Sequence, residues 1–258
     1  MQQRSPVSDK ALAPGRASSI RSRRKRSRLA AWSLLAVCLL AGSVSAQTAA
    51  EIPLSQPQNL GDLKQQARAY QRSGAYARGL AAVAAAAQTY VEKRAGQVKR
   101  PALVLDIDET ALTNWLQLEA NDFGYIANGP CRMPKGPCGV RAWELLGRAK
   151  PIEPTLKLFN AAKTRDVAVF FITGRDEDER AATERNLRAA GYHGWAAVIM
   201  RPTGAHTASA ADFKAPQRAR IAAKGYTIIA NVGDQPSDLA GGHAERTFLL
   251  PNPFYRIH

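Results

Sequence analysis

The sequence is poor in the residues that build soft-metal sites. It has three cysteines and four histidines in 258 residues. Cys131 and Cys138 have no second Cys or His pair nearby, which argues against a zinc site. His193, His206 and His243 are scattered and receive no role. No unit of roughly 20–50 residues repeats, which excludes solenoids and propellers. The apolar run Leu29–Ala41, broken only by Ser33, is shorter than the roughly 20 residues that span a bilayer. Acidic residues are also few, with 36 Lys and Arg against 21 Asp and Glu, a net charge of +15.

That charge is uneven. Residues 1–46 hold nine Lys or Arg and one acid, so 27 basic and 20 acidic residues remain, a net +7. The residual charge favours anionic substrates without identifying one. The basic run Arg21–Arg28 could be read as a nucleic-acid or membrane patch. It stands directly before the apolar run, however, and small residues Gly42–Ala46 follow. This order reads as a secretory signal peptide over 1–46, cut near Ala46. The expectation is a periplasmic or secreted protein with no retained anchor and no nucleic-acid partner. Cys38 follows Val37, where a lipoprotein signal requires a small residue, so lipidation is not expected. Cys131 and Cys138 then remain, flanking a Pro- and Gly-containing loop. In an oxidising compartment they read as a local disulfide, with two free thiols as the alternative.

The segment 47–99 reads as a helical extension after a polar lead. Leu80, Val83, Ala84, Ala87 and Val91 recur at helical spacing, and Gly74 and Gly79 are expected to divide the stretch. From residue 100 the texture changes. Short apolar runs at 102–105, 167–172, 196–200, 226–232 and 247–250 alternate with helical segments. The fold class is therefore α/β, a Rossmann-like parallel sheet flanked by helices. Residues 175–190 read as one helix, with Asp176 and Glu179 as a capping box and Gly191 as its stop. The roughly 60 residues between the first two strands exceed a simple crossover and suggest a small cap insertion over about 113–153.

The chemistry lies at strand ends, where open α/β sheets bind ligands. The first strand ends in Asp106-Ile107-Asp108-Glu109-Thr110. Two close carboxylates require a cation or a shared proton, and can divide the roles of nucleophile and proton shuttle. The second ends in Thr173-Gly174-Arg175, offering a hydroxyl and a residue that permits close backbone approach. Lys214 supplies a point charge for an oxyanion. A later strand ends in Gly233-Asp234-Gln235-Pro236-Ser237-Asp238, whose hard oxygens suit Mg²⁺. Each piece alone also fits an ordinary turn or a solvated side chain. Their conjunction in this order is what points to a site. Trp115, Phe123 and Tyr125 could line a pocket or pack the insertion, and Arg175 and Arg201 could contact phosphate, with a solvated or ion-paired arginine as the preferred reading.

The order of these motifs resembles the haloacid dehalogenase-like superfamily. The strings "LVLDIDETALTNW", "FFITGRDEDERAATERNLRAAGY" and "IIANVGDQPSDLAGGHAERTFLLPNPFY" resemble its acid phosphatase branch, which includes class B and class C acid phosphatases and plant vegetative storage proteins. The resemblance covers residues from about 100 to the C-terminus. It implies a phosphomonoesterase, with Asp106 as nucleophile and Asp108 as acid and base. Thr173 and Lys214 would stabilise the transferring group, and the residues themselves add Gly174 and Trp115 as substrate-binding candidates. Asp106, the carbonyl of Asp108, Asp234 and Asp238 would serve Mg²⁺. The substrate would be a small phosphate monoester. A non-catalytic storage-type protein and a phosphotransferase are the alternatives, and a homo-oligomer is compatible with all three.

Overall fold

The computed structural model describes residues 56–205 and 207–257. The signal segment 1–46, the start of the polar lead and His206 lie outside the described residues. Among the described residues no helix is long and apolar enough to cross a membrane.

The extension forms two helices, α1 (Leu60–Arg72) and α2 (Ala75–Arg94). Asn59 caps α1, its side chain accepting from the Gly61 amide at 2.8 Å. Gly74 takes φ 73° between the two helices, a conformation that favours glycine. The expected second break at Gly79 does not occur, because that residue lies inside α2. A Cβ there would stand 3.1 Å from Pro251 and from the Tyr70 hydroxyl, so the glycine serves close packing. The face predicted from helical spacing is the inner one: Leu80, Ala84, Ala87 and Val91 are buried.

Five strands form one parallel sheet. They are β1 (Pro101–Leu105), β4 (Ala168–Asp176), β5 (Ala197–Arg201), β6 (Thr227–Gly233) and β7 (Arg246–Leu249), in the order β5-β4-β1-β6-β7. Each corresponds to an apolar run read from the sequence. Alternate side chains serve opposite faces. Leu103 and Leu105 join the larger core beneath α2 and α5 (Glu153–Lys163). Ala102 and Val104 join a second core with Phe213 and Ile221 of α7 (Ala210–Ala223). The chain leaves β1 to build β4 and β5 on one side, then returns to place β6 and β7 on the other. The ends of β1, β4 and β6 thus meet at the switch point, where this architecture receives ligands.

The helix expected over 175–190 begins later. β4 continues through Asp176, which pairs with Arg201 of β5, and a short 3-10 turn at Glu177–Glu179 precedes α6 (Arg180–Ala189). The capping box at Asp176 and Glu179 is present.

Between β1 and β4, the short strands β2 (Leu112–Thr113) and β3 (Lys150–Pro151) pair antiparallel and close the neck of an inserted segment. That segment carries α3 (Trp115–Ala120), α4 (Val140–Leu146) and a Cys131–Cys138 disulfide. Asn121 ties the disulfide loop to α3, donating to the Cys138 carbonyl at 2.7 Å and accepting from its amide at 2.8 Å.

Candidate active site

Asp106 is the first residue beyond β1. Its amide donates to the Val232 carbonyl at 3.0 Å, which seats it between β1 and β6. Lys214 reaches it from α7, whose start is fixed by a Ser209–Asp212 capping box. The Lys214 ammonium donates to Asp106 Oδ1 at 2.5 Å and to Asp238 Oδ1 at 2.6 Å, and all three side chains are buried. Asp234 follows β6, and Asp238 sits in the short helix α8 (Pro236–Leu239). Gly233 makes that approach feasible, since a Cβ there would stand 2.4 Å from the Asp238 Cβ. Asp234 accepts from Thr110, Gln235 and Asn252 at 3.0, 2.6 and 2.7 Å.

Asp108 is held from a different side. Arg175, at the end of β4 and almost fully buried, donates to Asp108 Oδ1 through Nη2 at 2.7 Å and to Oδ2 through Nε at 3.1 Å. Asn114 donates to Asp108 Oδ1 at 2.8 Å and to Glu109 Oε2 at 3.0 Å. Thr173 is buried, and its hydroxyl accepts from the Arg175 amide at 3.2 Å. Gly174 is exposed beside it, and a Cβ there would meet no protein atom within 4 Å. Packing therefore does not demand the glycine.

The charges are unbalanced. Asp106, Asp108, Glu109, Asp234 and Asp238 converge against Lys214 and Arg175. Burial raises Asp106 well above the usual carboxylate range, while Lys214 pulls against it. Burial also lifts Glu109 to about 8, and it lifts Asp234, with help from the Asp238 charge, to about 6. Asp108 moves the other way: burial would raise it, but the Arg175 guanidinium and the Asn114 amide bring it below its ordinary value. Lys214 is raised, its two carboxylate partners outweighing burial. Asp106, Asp234 and Asp238 offer oxygens within 4.8 Å of one another. A buried, oxygen-only donor set with excess negative charge fits a hard divalent cation.

The structure thus brings together Asp106, Asp108, Lys214, Asp234 and Asp238, with Thr173 on the adjacent strand end. Trp115 is half-buried among aromatic rings, with centroids 5.9 Å from Phe123 and 5.2 Å from Phe254. Tyr125 is exposed. Arg201 pairs with Asp176, as the ion-paired reading has it. Sequence reasoning missed Glu109, Asn114, Trp143 and Asn252. Glu109 and Asn114 sat in view within the first motif, but nothing local marked them.

A parallel α/β sheet with paired aspartates after its first strand, a buried lysine and a Gly-Asp-x-x-x-Asp turn places the chain in the haloacid dehalogenase-like class of folds. The chain belongs to the HAD superfamily, subfamily IIIB (acid phosphatase), which residues 40–258 match. It is 41% identical to the stem 28 kDa glycoprotein of Glycine max, over 45% of this chain and 46% of that one. It is 33% identical to acid phosphatase 1 of Solanum lycopersicum, over 63% of this chain and 61% of that one. The matches therefore span about half the length of these curated relatives. The class C acid phosphatase of Bacillus anthracis shares the fold, with a TM-score of 0.61 at 19% identity, over 76% of this chain and 86% of that one.

Proposed function

We propose that the chain is an exported, magnesium-dependent phosphomonoesterase acting on small phosphate monoesters through an aspartyl-phosphate on Asp106. The observation that carries this is the single ammonium of Lys214 bound to both Asp106 and Asp238, beside Asp234. It supports the reading because the Asp106 carboxylate stands in a cluster of oxygen donors able to take a metal, beside a fixed cation suited to a phosphoryl group.

Asp106 attacks phosphorus in line. One P–O bond forms to the carboxylate as the bond to the leaving oxygen breaks. The phosphate dianion bound beside Asp108 raises its proton affinity against the pull of Arg175, so Asp108 takes a proton from solvent and gives it to that oxygen. A water then attacks the acyl phosphate, Asp108 takes its proton, and Asp106 and inorganic phosphate separate. Lys214, the Thr173 hydroxyl and the Gly174 backbone hold the transferring group, and Trp115 is the candidate wall for the leaving group. Asp106, the Asp108 carbonyl, Asp234 and Asp238 would hold Mg²⁺, which supplies charge neutralisation at the phosphoryl oxygens. Asp238 also orients Lys214. Export follows from the expected cleavage near Ala46, and neither nucleic acid nor a membrane anchor belongs to this reading.

The test is phosphate release from an aryl phosphate by the mature chain, with and without Mg²⁺, beside Asp106→Asn. Metal-dependent turnover lost in the variant is expected. Turnover retained in the variant contradicts the mechanism. No turnover across a panel of esters, with metal binding intact, favours the storage-type alternative. Transfer to an added alcohol in place of water identifies a phosphotransferase.

A further inference from the structure

The inserted segment between β1 and β4 does more than cover the sheet edge. Trp143 of α4 is buried, and its indole Nε1 donates to Asn114 Oδ1 at 2.8 Å. An indole N–H can only donate. The carbonyl end of the Asn114 amide must therefore face Trp143, and the NH₂ end must face the other way. There it gives one hydrogen to Asp108 Oδ1 and the other to Glu109 Oε2. A flipped amide would turn its oxygen toward both carboxyl groups and its hydrogens toward the indole N–H. The Asn114 backbone amide also donates to Glu109 Oε1, which anchors the residue itself.

Asp108 thus lies between two clamps, the Arg175 guanidinium and the Asn114 amide. Oδ1 receives Arg175 Nη2 and Asn114, while Oδ2 receives only Arg175 Nε, at 3.1 Å. Oδ2 is the oxygen with capacity left for a proton in transit. The neighbour of Trp143 also borders the other clamp, with Glu144 Oε1 3.7 Å from Arg175 Nε.

We propose that Trp143 is a positioning residue: through the orientation it imposes on Asn114, it holds the acid and base carboxylate of Asp108. The inference rests on the phosphatase reading above and adds a task for the insertion within that mechanism. Its signature is leaving-group selectivity. An alkyl phosphate needs a proton from Asp108 to release its alkoxide, whereas a dinitrophenyl phosphate releases a stable phenolate without one. The ratio kcat/KM covers only the steps up to leaving-group departure when phosphoryl transfer is irreversible.

The experiment measures kcat/KM on both esters for the wild type, Trp143→Phe, Asn114→Ala and the double variant. Trp143→Phe should lower the value for the alkyl ester by about tenfold, part of what general acid catalysis supplies. It should change the dinitrophenyl ester by no more than about twofold. Asn114→Ala should show the same selectivity, and the double variant no more of it than Asn114→Ala alone. Equal losses on both esters, or selectivity losses that add in the double variant, would overturn the positioning role. If Trp143→Phe does not fold, Asn114→Ala carries the same comparison, and equal losses there overturn the proposal too. A folded wild type that hydrolyses neither ester overturns the phosphatase reading and this inference with it. Wild-type turnover with unselective losses overturns this inference alone.

Discussion

The ammonium of Lys214 lies 2.5 Å from Asp106 Oδ1, with both side chains buried. The two residues are 108 positions apart, one just beyond β1 and the other on α7. An ion pair of this kind costs desolvation and returns little net stability, but removing one partner leaves the other charge buried alone.

Lys214→Met should therefore cost about 3–5 kcal/mol in denaturant unfolding measured without metal, because Asp106 and Asp238 lose their shared cation. Turnover should vanish as well. Lys214→Arg should restore charge but little activity, since a planar fork cannot occupy the point the ammonium holds. A methionine variant as stable as the wild type would show that the cluster is balanced some other way.

Gly233→Ala tests the turn that brings the second acid pair together. The added methyl would enter the space of the Asp238 side chain, so α8 must shift. Calorimetric titration should show weaker Mg²⁺ binding, and unfolding should show a loss of about 1–3 kcal/mol. Unchanged metal affinity would remove Asp238 from the cation site.

The buried acids also predict how stability follows pH. Glu109, Glu144 and Asp234 have folded values near 8, 9 and 6, against ordinary values of 4.5, 4.5 and 3.8. Burial is the leading cause in each case. Between the ordinary and the raised values, the folded chain keeps protons that the unfolded chain has released. Stability is therefore full at the acidic end of that window and is lost as pH rises toward about 9. Asp108 and the paired surface acids are lowered, so their opposite contribution falls at more acidic pH. In EDTA, Tm should fall steadily from mildly acidic to alkaline buffer. Added Mg²⁺ should raise Tm more at the alkaline end, where Asp234 is ionised. A Tm that climbs with pH in EDTA would contradict the assigned burial.

Much of this architecture is legible in the chain. The five strands announce themselves as short apolar runs, and the acids stand directly after two of them. What escapes local reading depends on partners remote in sequence. β4 outlasts its apolar run because Asp176 pairs with Arg201 on the next strand, so α6 starts later than helical periodicity suggests. Gly79 looks like a break but meets Pro251, 172 positions away in sequence. Trp115 packs against Phe254, 139 positions away, a contact that no local pattern announces. Asn114 has no motif of its own. Its meaning comes from Trp143 on one side and from Asp108 and Glu109 on the other.

The claim that phosphorus passes through Asp106 has one direct test. The mature chain is mixed with a phosphate monoester and Mg²⁺, quenched within a single turnover, reduced with borohydride and mapped by peptide mass spectrometry. The account predicts homoserine at position 106, and nowhere else, in proportion to trapped intermediate. Phosphate release at full rate, with position 106 unmodified throughout or with the label on another side chain, would contradict it.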